Sequence, residues 1–403
     1  MKLGFVTPRY GKEIAGGAET LVRELAEKLS LQHEIEIFTT CAVDNRTWDN
    51  VLKPGVTKEE NIKINRFLVS PRDLEVWIPR QIAISEGQRL SLSDQLSWME
   101  HGVNSLDLYS ELVKRKDEFT VFMFAPYLFG TSFYGALAVK EKAFLIPCLH
   151  DEEYAYLEIT KHLFLETKGS LFNSLPEKEL AEKLYGQESI RGGVVGMGFE
   201  MLSKSYIDSL EKITTIQNKK IPEKYIICVG RKETGKNAHT LLDYFVASKE
   251  NNQIPKDLSI ILVGGGSFED LLRPQFKDRS DIIDLSYISE SEKQSLIKYA
   301  SCLVQPSVLE SFSIVLMEAW RLGTPVIVNA AGAVTKHHTE ISGGGLWFDD
   351  DQELAACINQ ILDPEIRSDL SLAGYRYVES EFAWEEVVNR FNSLLLGITL
   401  KKN

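Results

Sequence analysis

Two glutamates, Glu310 and Glu318, stand at the opening of an apolar helical pattern. Their spacing places Glu310 in the turn before a helix and Glu318 about two turns further on, with the amides of Ser313, Ile314 and Val315 between them. Free N–H groups and the positive dipole end at a helix N-terminus favour an anion such as a pyrophosphate. A carboxylate only accepts hydrogen bonds, so the pair can hold two sets of hydroxyls, one on a sugar and one on a ribose. An ordinary capped amphipathic helix is the alternative interpretation.

A second candidate follows an apolar run that ends at Gly230 and continues through Arg231, Gly235, Lys236 and Asn237. The pattern falls one residue short of the phosphate loop G-x-x-x-x-G-K-[ST], because Asn237 replaces the hydroxyl that ligates Mg²⁺. The same residues favour another use, in which Arg231 and Lys236 converge as cations on a diphosphate leaving group. A nucleotide-hydrolysing loop and plain surface charge remain alternatives.

Glycines and histidines supply the remaining candidates. Gly16 and Gly17 precede the first helical pattern, and three glycines from Gly264 follow a strand pattern, where both runs permit close backbone approach to a ligand. His150 ends an apolar run and could act as an acid or base, a metal ligand or a donor to a sugar. His337 and His338 are interpreted mainly as solvated loop residues. No G-x-G-x-x-G fingerprint is present, which disfavours a dehydrogenase.

The elements that must position these residues alternate as strand, glycine loop and helix. Such order begins at Lys2 and restarts at Lys224, and it predicts two doubly wound parallel sheets with ligands at their carboxyl edges. Residues 74–116 are predicted to be inserted helices. We expect an N-terminal domain over 1–205, a second domain over 206–381, and a helix over 382–403 that packs back on the first domain.

Bulk properties narrow the class of protein. The chain has 403 residues, 44% hydrophobic, and a formal net charge of −13 that divides nearly evenly between its halves, so nucleic-acid binding is not expected. Its five cysteines are scattered and odd in number, which is typical of reduced thiols in the cytosol. The N-terminal apolar run is too short for a signal peptide, and no run is long enough to span a membrane.

Taken together, these motifs resemble the retaining glycosyltransferases of family four, in that family's order along nearly the whole chain. The residues that carry the resemblance are Gly16 to Glu19, His150, Arg231, Lys236, the stretch from Glu310 to Glu318, and Gly323 to Ile327. The resemblance implies a GT-B fold, with two Rossmann-like domains facing each other across a cleft, the donor held mainly by the second domain and the acceptor by the first.

The resemblance also implies roles for individual residues. Arg231 and Lys236 would neutralise the donor diphosphate, Glu310 would bind sugar hydroxyls beside the reacting carbon, and Glu318 would hold the ribose. His150 would contact the donor sugar near its anomeric centre. The loops at Gly16, Gly17 and Gly230 would lie by the phosphates and sugar, and Tyr287 and Ile288 match where the family meets the base. Ser311 and Ser313 depart from glycines common in the family, and Met197 departs from a common asparagine.

The expected activity is therefore transfer of a hexose from a UDP- or GDP-sugar to a glycan or glycoconjugate acceptor, with retention and without a metal or another cofactor. A polysaccharide or glycoconjugate pathway in the cytoplasm is the expected setting, and contact with a membrane-bound acceptor at the inner face stays open. Two alternatives remain, a non-catalytic sugar-nucleotide-binding protein and a sugar-nucleotide epimerase of GT-B type.

Overall fold

The computed structural model describes residues 1–14 and 16–400. By its internal contacts the chain divides into two compact units. The first comprises Met1–Gly198 together with the chain from Val387 onward, and the second comprises Phe199–Glu386. The boundary at Phe199 has a local cause, since its amide donates to the carbonyl of Phe382 at 2.7 Å and its ring stacks on Phe312, both in the second unit.

The first unit is built on an eight-stranded sheet in the order β3-β4-β2-β1-β5-β6-β7-β8. All its pairings are parallel except the antiparallel pair β3 and β4. The strands are β1 (Lys2–Val6), β2 (Glu34–Thr40), β3 (Gly55–Glu59), β4 (Ile62–Phe67), β5 (Val121–Phe124), β6 (Ala143–Leu145), β7 (Gly169–Phe172) and β8 (Gly192–Val194).

Helices cover this sheet, and aromatic side chains such as Phe122, Phe124 and Phe172 fill the core beneath them. The expected insertion consists of α2, α3 and α4, each begun by a polar residue just before its first turn. The helices of the first unit are α1 (Gly17–Leu29), α2 (Leu74–Ser85), α3 (Leu92–Glu100), α4 (Leu106–Arg115), α5 (Gly130–Ala138), α6 (Glu158–Glu166) and α7 (Leu175–Tyr185).

The second unit has a six-stranded parallel sheet in the order β13-β12-β11-β14-β15-β16, preceded by a separate two-stranded hairpin of β9 and β10. These strands are β9 (Thr215–Ile216), β10 (Lys219–Lys220), β11 (Tyr225–Val229), β12 (Ser259–Val263), β13 (Ile282–Leu285), β14 (Leu303–Gln305), β15 (Val326–Asn329) and β16 (Gly345–Phe348). Strand order reverses between β11 and β14, and ligands of doubly wound sheets bind at such a point.

Leucine, isoleucine and phenylalanine side chains of this sheet and of helices packed on it form the second core. The remaining helices are α8 (Lys204–Ser209), α9 (Ala238–Glu250), α10 (Glu290–Tyr299), α11 (Ile314–Arg321), α12 (Ala333–Ser342), α13 (Asp351–Ile361), α14 (Pro364–Phe382) and α15 (Trp384–Leu400). Along α15 the chain passes from the second unit back to the first at Val387. Among the described residues, no helix has the length and apolar character needed to cross a bilayer.

The hairpin of β3 and β4 was not predicted, because every residue of its outer strand is exposed and the strand carries no apolar run. Two local expectations were wrong. His338 lies in α12 and is 2% exposed, so it is a core residue rather than a loop residue. The strand that leads to His150 ends at Leu145, because Pro147 has no N–H to continue the ladder.

Candidate functional site

Glu310 and Glu318 flank the start of α11 as their spacing predicted. The chain leaves β14, passes Glu310, and begins the helix after Ser313, whose φ of 73° is left-handed. Both glutamate side chains are 14% exposed. The first amides of a helix have no acceptor within it, so this end of α11 presents N–H groups and the positive end of the helix dipole.

Lys236 comes to Glu310 from the neighbouring strand's loop. Its Nζ lies 2.8 Å from Glu310 Oε1 across the point where strand order reverses between β11 and β14. The next residue, Asn237, adopts a left-handed φ of 56° and donates from Nδ2 to the carbonyl of Pro306 at 3.2 Å. This bond ties the loop after β11 to the loop after β14, and so it places a cation beside the carboxylate.

Glu318 has a partner that the sequence did not reveal. Lys293, on α10, places Nζ 2.9 Å from Glu318 Oε1 and 2.8 Å from Glu290. Burial opposes the charge of Lys293, but the two carboxylates outweigh it and raise the pKa of the lysine. The ion pair with Lys293 therefore holds the Glu318 side chain in place. No motif joins positions 293 and 318, which explains why sequence reasoning missed Lys293.

Gly230 and Arg231 occupy the loop between β11 and Lys236. Gly230 has a φ of 157°, and a Cβ built there would meet no described atom within 4 Å. The Arg231 side chain is 58% exposed and pairs with Glu233 at 3.1 Å rather than with Glu310. Asn237 at the end of this loop is bonded to the carbonyl of Pro306 and supplies no hydroxyl for Mg²⁺.

The three glycines after β12 let other parts of the protein pack directly against their backbone. A Cβ on Gly264 or Gly266 would overlap the carbonyls of Gly230 and Lys232, and one on Gly265 would lie 2.6 Å from the Tyr287 hydroxyl. Tyr287 itself is 69% exposed. The glycines thus let the loop after β11 and the Tyr287 ring pack closely, and Ile288 follows at the same edge of the sheet.

In the first unit, Gly16 and Gly17 play different parts. A Cβ on Gly16 would overlap the carboxylate of Glu19, whereas one on Gly17 would meet no described atom within 4 Å. Glu19 in turn pairs with buried Arg9 at 2.5 Å, and Arg9 donates to the carbonyl of Val43 at 3.0 Å. Gly16 is needed for packing within the loop, and Gly17 leaves its outer face clear.

His150 lies in an irregular segment after β6, with its side chain 28% exposed and Nδ1 3.5 Å from Glu152 Oε1. The fully buried Glu177 supports this segment, since its carboxylate accepts from the amides of Leu149 at 2.7 Å and Asn173 at 2.5 Å. Burial raises the pKa of Glu177 to about 8 despite those donors. Sequence reasoning missed this support, because Glu177 has the position of an ordinary first-turn acid of α7.

An aromatic cluster holds the loop that carries Glu310. The Phe312 ring packs edge-on against His338 and Phe382, with centroid distances of 5.4 and 5.1 Å, and His338 Nδ1 lies 2.8 Å from the Tyr377 hydroxyl. These contacts anchor the residue two positions beyond Glu310. Within the described residues, no three His, Cys, Asp or Glu side chains lie close enough to hold a metal ion.

Comparison with known proteins gives a family model, one protein of similar sequence and two solved structures of similar fold. Residues 211–376, inside the second unit, match the model for glycosyl transferases group 1. An uncharacterized glycosyltransferase of Methanocaldococcus jannaschii is 23% identical over 96% of each chain. Sucrose-phosphate synthase from Thermosynechococcus elongatus matches over 100% of both chains with 18% identity and a TM-score of 0.71. Anabaena HepE, solved with UDP and glucose, matches over 100% of both chains with 17% identity and a TM-score of 0.69.

The two parallel-sheet units and these structural likenesses confirm the expected GT-B fold. The family model and the archaeal protein also support the expectation that the chain is a glycosyltransferase. The chain is thus supported as a glycosyltransferase of GT-B fold whose second unit matches the group 1 glycosyl transferases.

Proposed function

We propose that this chain is a retaining glycosyltransferase that moves a hexose from a nucleoside-diphosphate sugar to a glycan or glycoconjugate acceptor, without a metal. The observation that carries the proposal is the contact of Lys236 Nζ with Glu310 Oε1 at 2.8 Å beside the start of α11. A cation and helix amides suit a diphosphate, and the adjacent carboxylate suits sugar hydroxyls. All three meet at the reversal point of one sheet.

In this proposal the donor lies along the carboxyl edge of the second sheet. Lys236, Arg231 and the amides of residues 313–315 bind the diphosphate, with Gly230 leaving space for it. Glu318 accepts from the ribose hydroxyls, and Tyr287 and Ile288 meet the base. HepE was solved with UDP and glucose, which supports a donor of this class, with UDP or GDP as its nucleotide.

The chemistry follows from where charge develops. The bond from C1 of the sugar to the phosphate oxygen breaks, and its electron pair leaves with the diphosphate. Fixed cations and helix amides stabilise this growing negative charge more than they stabilise the intact donor. The acceptor oxygen bonds to C1 on the same face, and its proton passes to the departing phosphate oxygen, so the anomeric configuration is retained.

The first unit contributes the acceptor side of the proposal. Gly16 and Gly17 provide a loop with one clear face, and His150 provides a partly exposed imidazole next to Leu149, whose amide donates to Glu177. We assign to His150 a contact with the donor sugar near C1. The acceptor is a glycan or glycoconjugate in the cytoplasm, free or held at the inner face of a membrane.

A thermal-shift screen of UDP, GDP, ADP and their sugar conjugates tests donor binding, because a ligand that binds the folded state raises its unfolding temperature. We expect one nucleotide series to stabilise the protein. Lys236→Ala should weaken the binding of that nucleotide by about tenfold or more. Lys224→Ala is the matched control, since Lys224 also pairs with an acid, Asp257, at 2.7 Å but lies at the start of β11.

Product analysis then separates the alternatives. Transfer to an acceptor with retained configuration supports the proposal. Tight nucleotide binding without product across an acceptor panel would instead indicate a non-catalytic binding protein, and conversion of the donor sugar without any acceptor would indicate an epimerase.

A further inference from the structure

We propose that Gln217 is a positioning residue for the nucleobase, acting through the segment of residues 284–287 that ends in Tyr287. Gln217 belongs to none of the motifs that carry the proposed activity, and it lies in the short hairpin before β11. The inference rests on the proposed function, because it assigns the base selectivity of that same donor site to a residue outside the donor loops.

The hairpin presents Gln217 at a tight turn. Strands β9 and β10 pair antiparallel, Ile216 with Lys219 and Thr215 with Lys220. The two residues between them, Gln217 and Asn218, have left-handed φ values of 50° and 60°. A two-residue turn of this kind matches the twist of the strands, but glutamine is rarely chosen there.

The hydrogen bonds of the Gln217 side chain explain why glutamine occupies this turn, since they hold the chain just beyond β13. Its Nε2 donates to Ser286 Oγ at 2.9 Å and to the carbonyl of Tyr287 at 3.1 Å. Its Oε1 accepts from the amide of Ser286 at 3.0 Å. One amide side chain thus makes three hydrogen bonds to two consecutive residues and fixes their main chain.

Two lysines fix the same segment from other directions. Lys219, in the hairpin, donates to the carbonyl of Asp284. Lys232, which is 3% exposed, pairs with the carboxylate of Asp284 and donates to the carbonyl of Leu285 at 3.0 Å. Lys232 follows Arg231 directly, so the end of β13 is tied both to the hairpin and to the proposed diphosphate loop.

The segment held in this way carries an exposed aromatic surface. The Tyr287 ring packs against Gly265 and still leaves the side chain 69% exposed. Exposed aromatic faces stack on nucleobases, and their contribution depends on a fixed orientation of the ring. Gln217 bonds to the backbone beneath Tyr287, so it would set that orientation without touching the ligand.

The test measures dissociation constants of the full chain for UDP, GDP, ADP and inorganic pyrophosphate. Gln217→Asn keeps an amide and tolerates the left-handed turn, but its side chain is one methylene too short to span the three bonds. We expect it to weaken the preferred nucleotide by about tenfold and to reduce the preference among bases, with pyrophosphate affinity unchanged. Gln217→Ala should behave in the same way.

Asn218→Ala is the matched control, because Asn218 occupies the same turn and its side chain makes no hydrogen bond in the described structure. Unchanged base preference in both Gln217 variants would overturn the inference. So would an equal loss of pyrophosphate affinity or a loss of folding by circular dichroism, since each indicates a general structural role. If the unmodified protein binds none of the nucleotides, the proposed function itself fails.

Discussion

Ser313 shows how a single residue shapes the proposed donor site. It immediately precedes α11 and has a φ of 73°, a left-handed conformation that favours glycine, and glycine is common there in the family that the chain resembles. Its hydroxyl accepts from Gln305 Nε2 at 3.4 Å, at the limit of a hydrogen bond, so little compensates for the backbone strain. The serine is tolerated because the surrounding loop is fixed by Phe312 and Asn237.

Ser313→Gly should therefore stabilise the protein. Removing the strain gains about 1 kcal/mol, from which the greater freedom of glycine in the unfolded chain subtracts a part. Ser313→Ala keeps the strain and loses the hydroxyl, so it should be no more stable than the original. Urea unfolding of both variants measures the difference, and a glycine variant less stable than the alanine variant would contradict this account.

Elements built from long apolar runs could be predicted from the sequence, and elements defined by their surroundings could not. Strands β11 and β12 are almost entirely buried, so their apolar runs identify them directly. Strand β3 lies at the sheet edge with every residue exposed, and its charged sequence carries no such signal. The same distinction separates the site residues that could be predicted from those that could not. Glu310 and Lys236 stand in recognisable patterns, whereas Lys293, Glu177 and Gln217 act on partners distant in sequence.

Helices α12 and α14 pack against the Glu310 loop, and through His338 this packing makes the stability of the protein depend on pH. Burial lowers the pKa of His338 to about 3, with a smaller effect from His337. The unfolded chain takes up this proton below its ordinary pKa near 6.5, whereas the folded chain does so only near 3. The stability contributed by neutral His338 is thus complete above pH 6.5 and is lost as the pH falls towards 3.

His338→Gln cannot be protonated, so its free energy of unfolding should depend less on pH. Between pH 6.5 and 4.5 we expect the original protein to lose about 2 kcal/mol more than the variant. Chemical unfolding at several pH values measures the slopes, with His337→Gln as the neighbouring control. Equal slopes for His338→Gln and the original protein would show that His338 does not remain neutral.

At the scale of the whole molecule, the stability of the first unit depends on a buried charge, the carboxylate of Glu36. This side chain is 2% exposed and pairs with Lys2 and Arg115, both at 2.8 Å. Burial alone would raise the pKa of Glu36, but hydrogen bonds from Arg115, Lys2 and Asn65 outweigh it and lower the pKa to about 2. The network joins β1, β2, β4 and the end of α4.

Acid should weaken the first unit through this network. The depressed pKa means that the contribution of Glu36 is present above pH 4.5 and is lost as the pH falls from 4.5 towards 2. Glu36→Gln should lower stability at pH 7. Between pH 5 and 3 the free energy of unfolding of this variant should fall by about 2 kcal/mol less than that of the original protein. Glu34→Gln is the control, because Glu34 also pairs with Lys2 but is 65% exposed. An unchanged acid transition in Glu36→Gln would refute this role.

The central claim is that the chain transfers a sugar with Glu310 bound to that sugar, and a transfer assay on Glu310→Ala tests it most directly. The assay uses the donor found by thermal shift, with Glu340→Ala, a half-exposed glutamate of α12, as the control. We predict a loss of transfer of about a hundredfold or more, with folding intact and nucleoside-diphosphate affinity nearly unchanged. Full transfer by the folded Glu310→Ala protein would contradict the account.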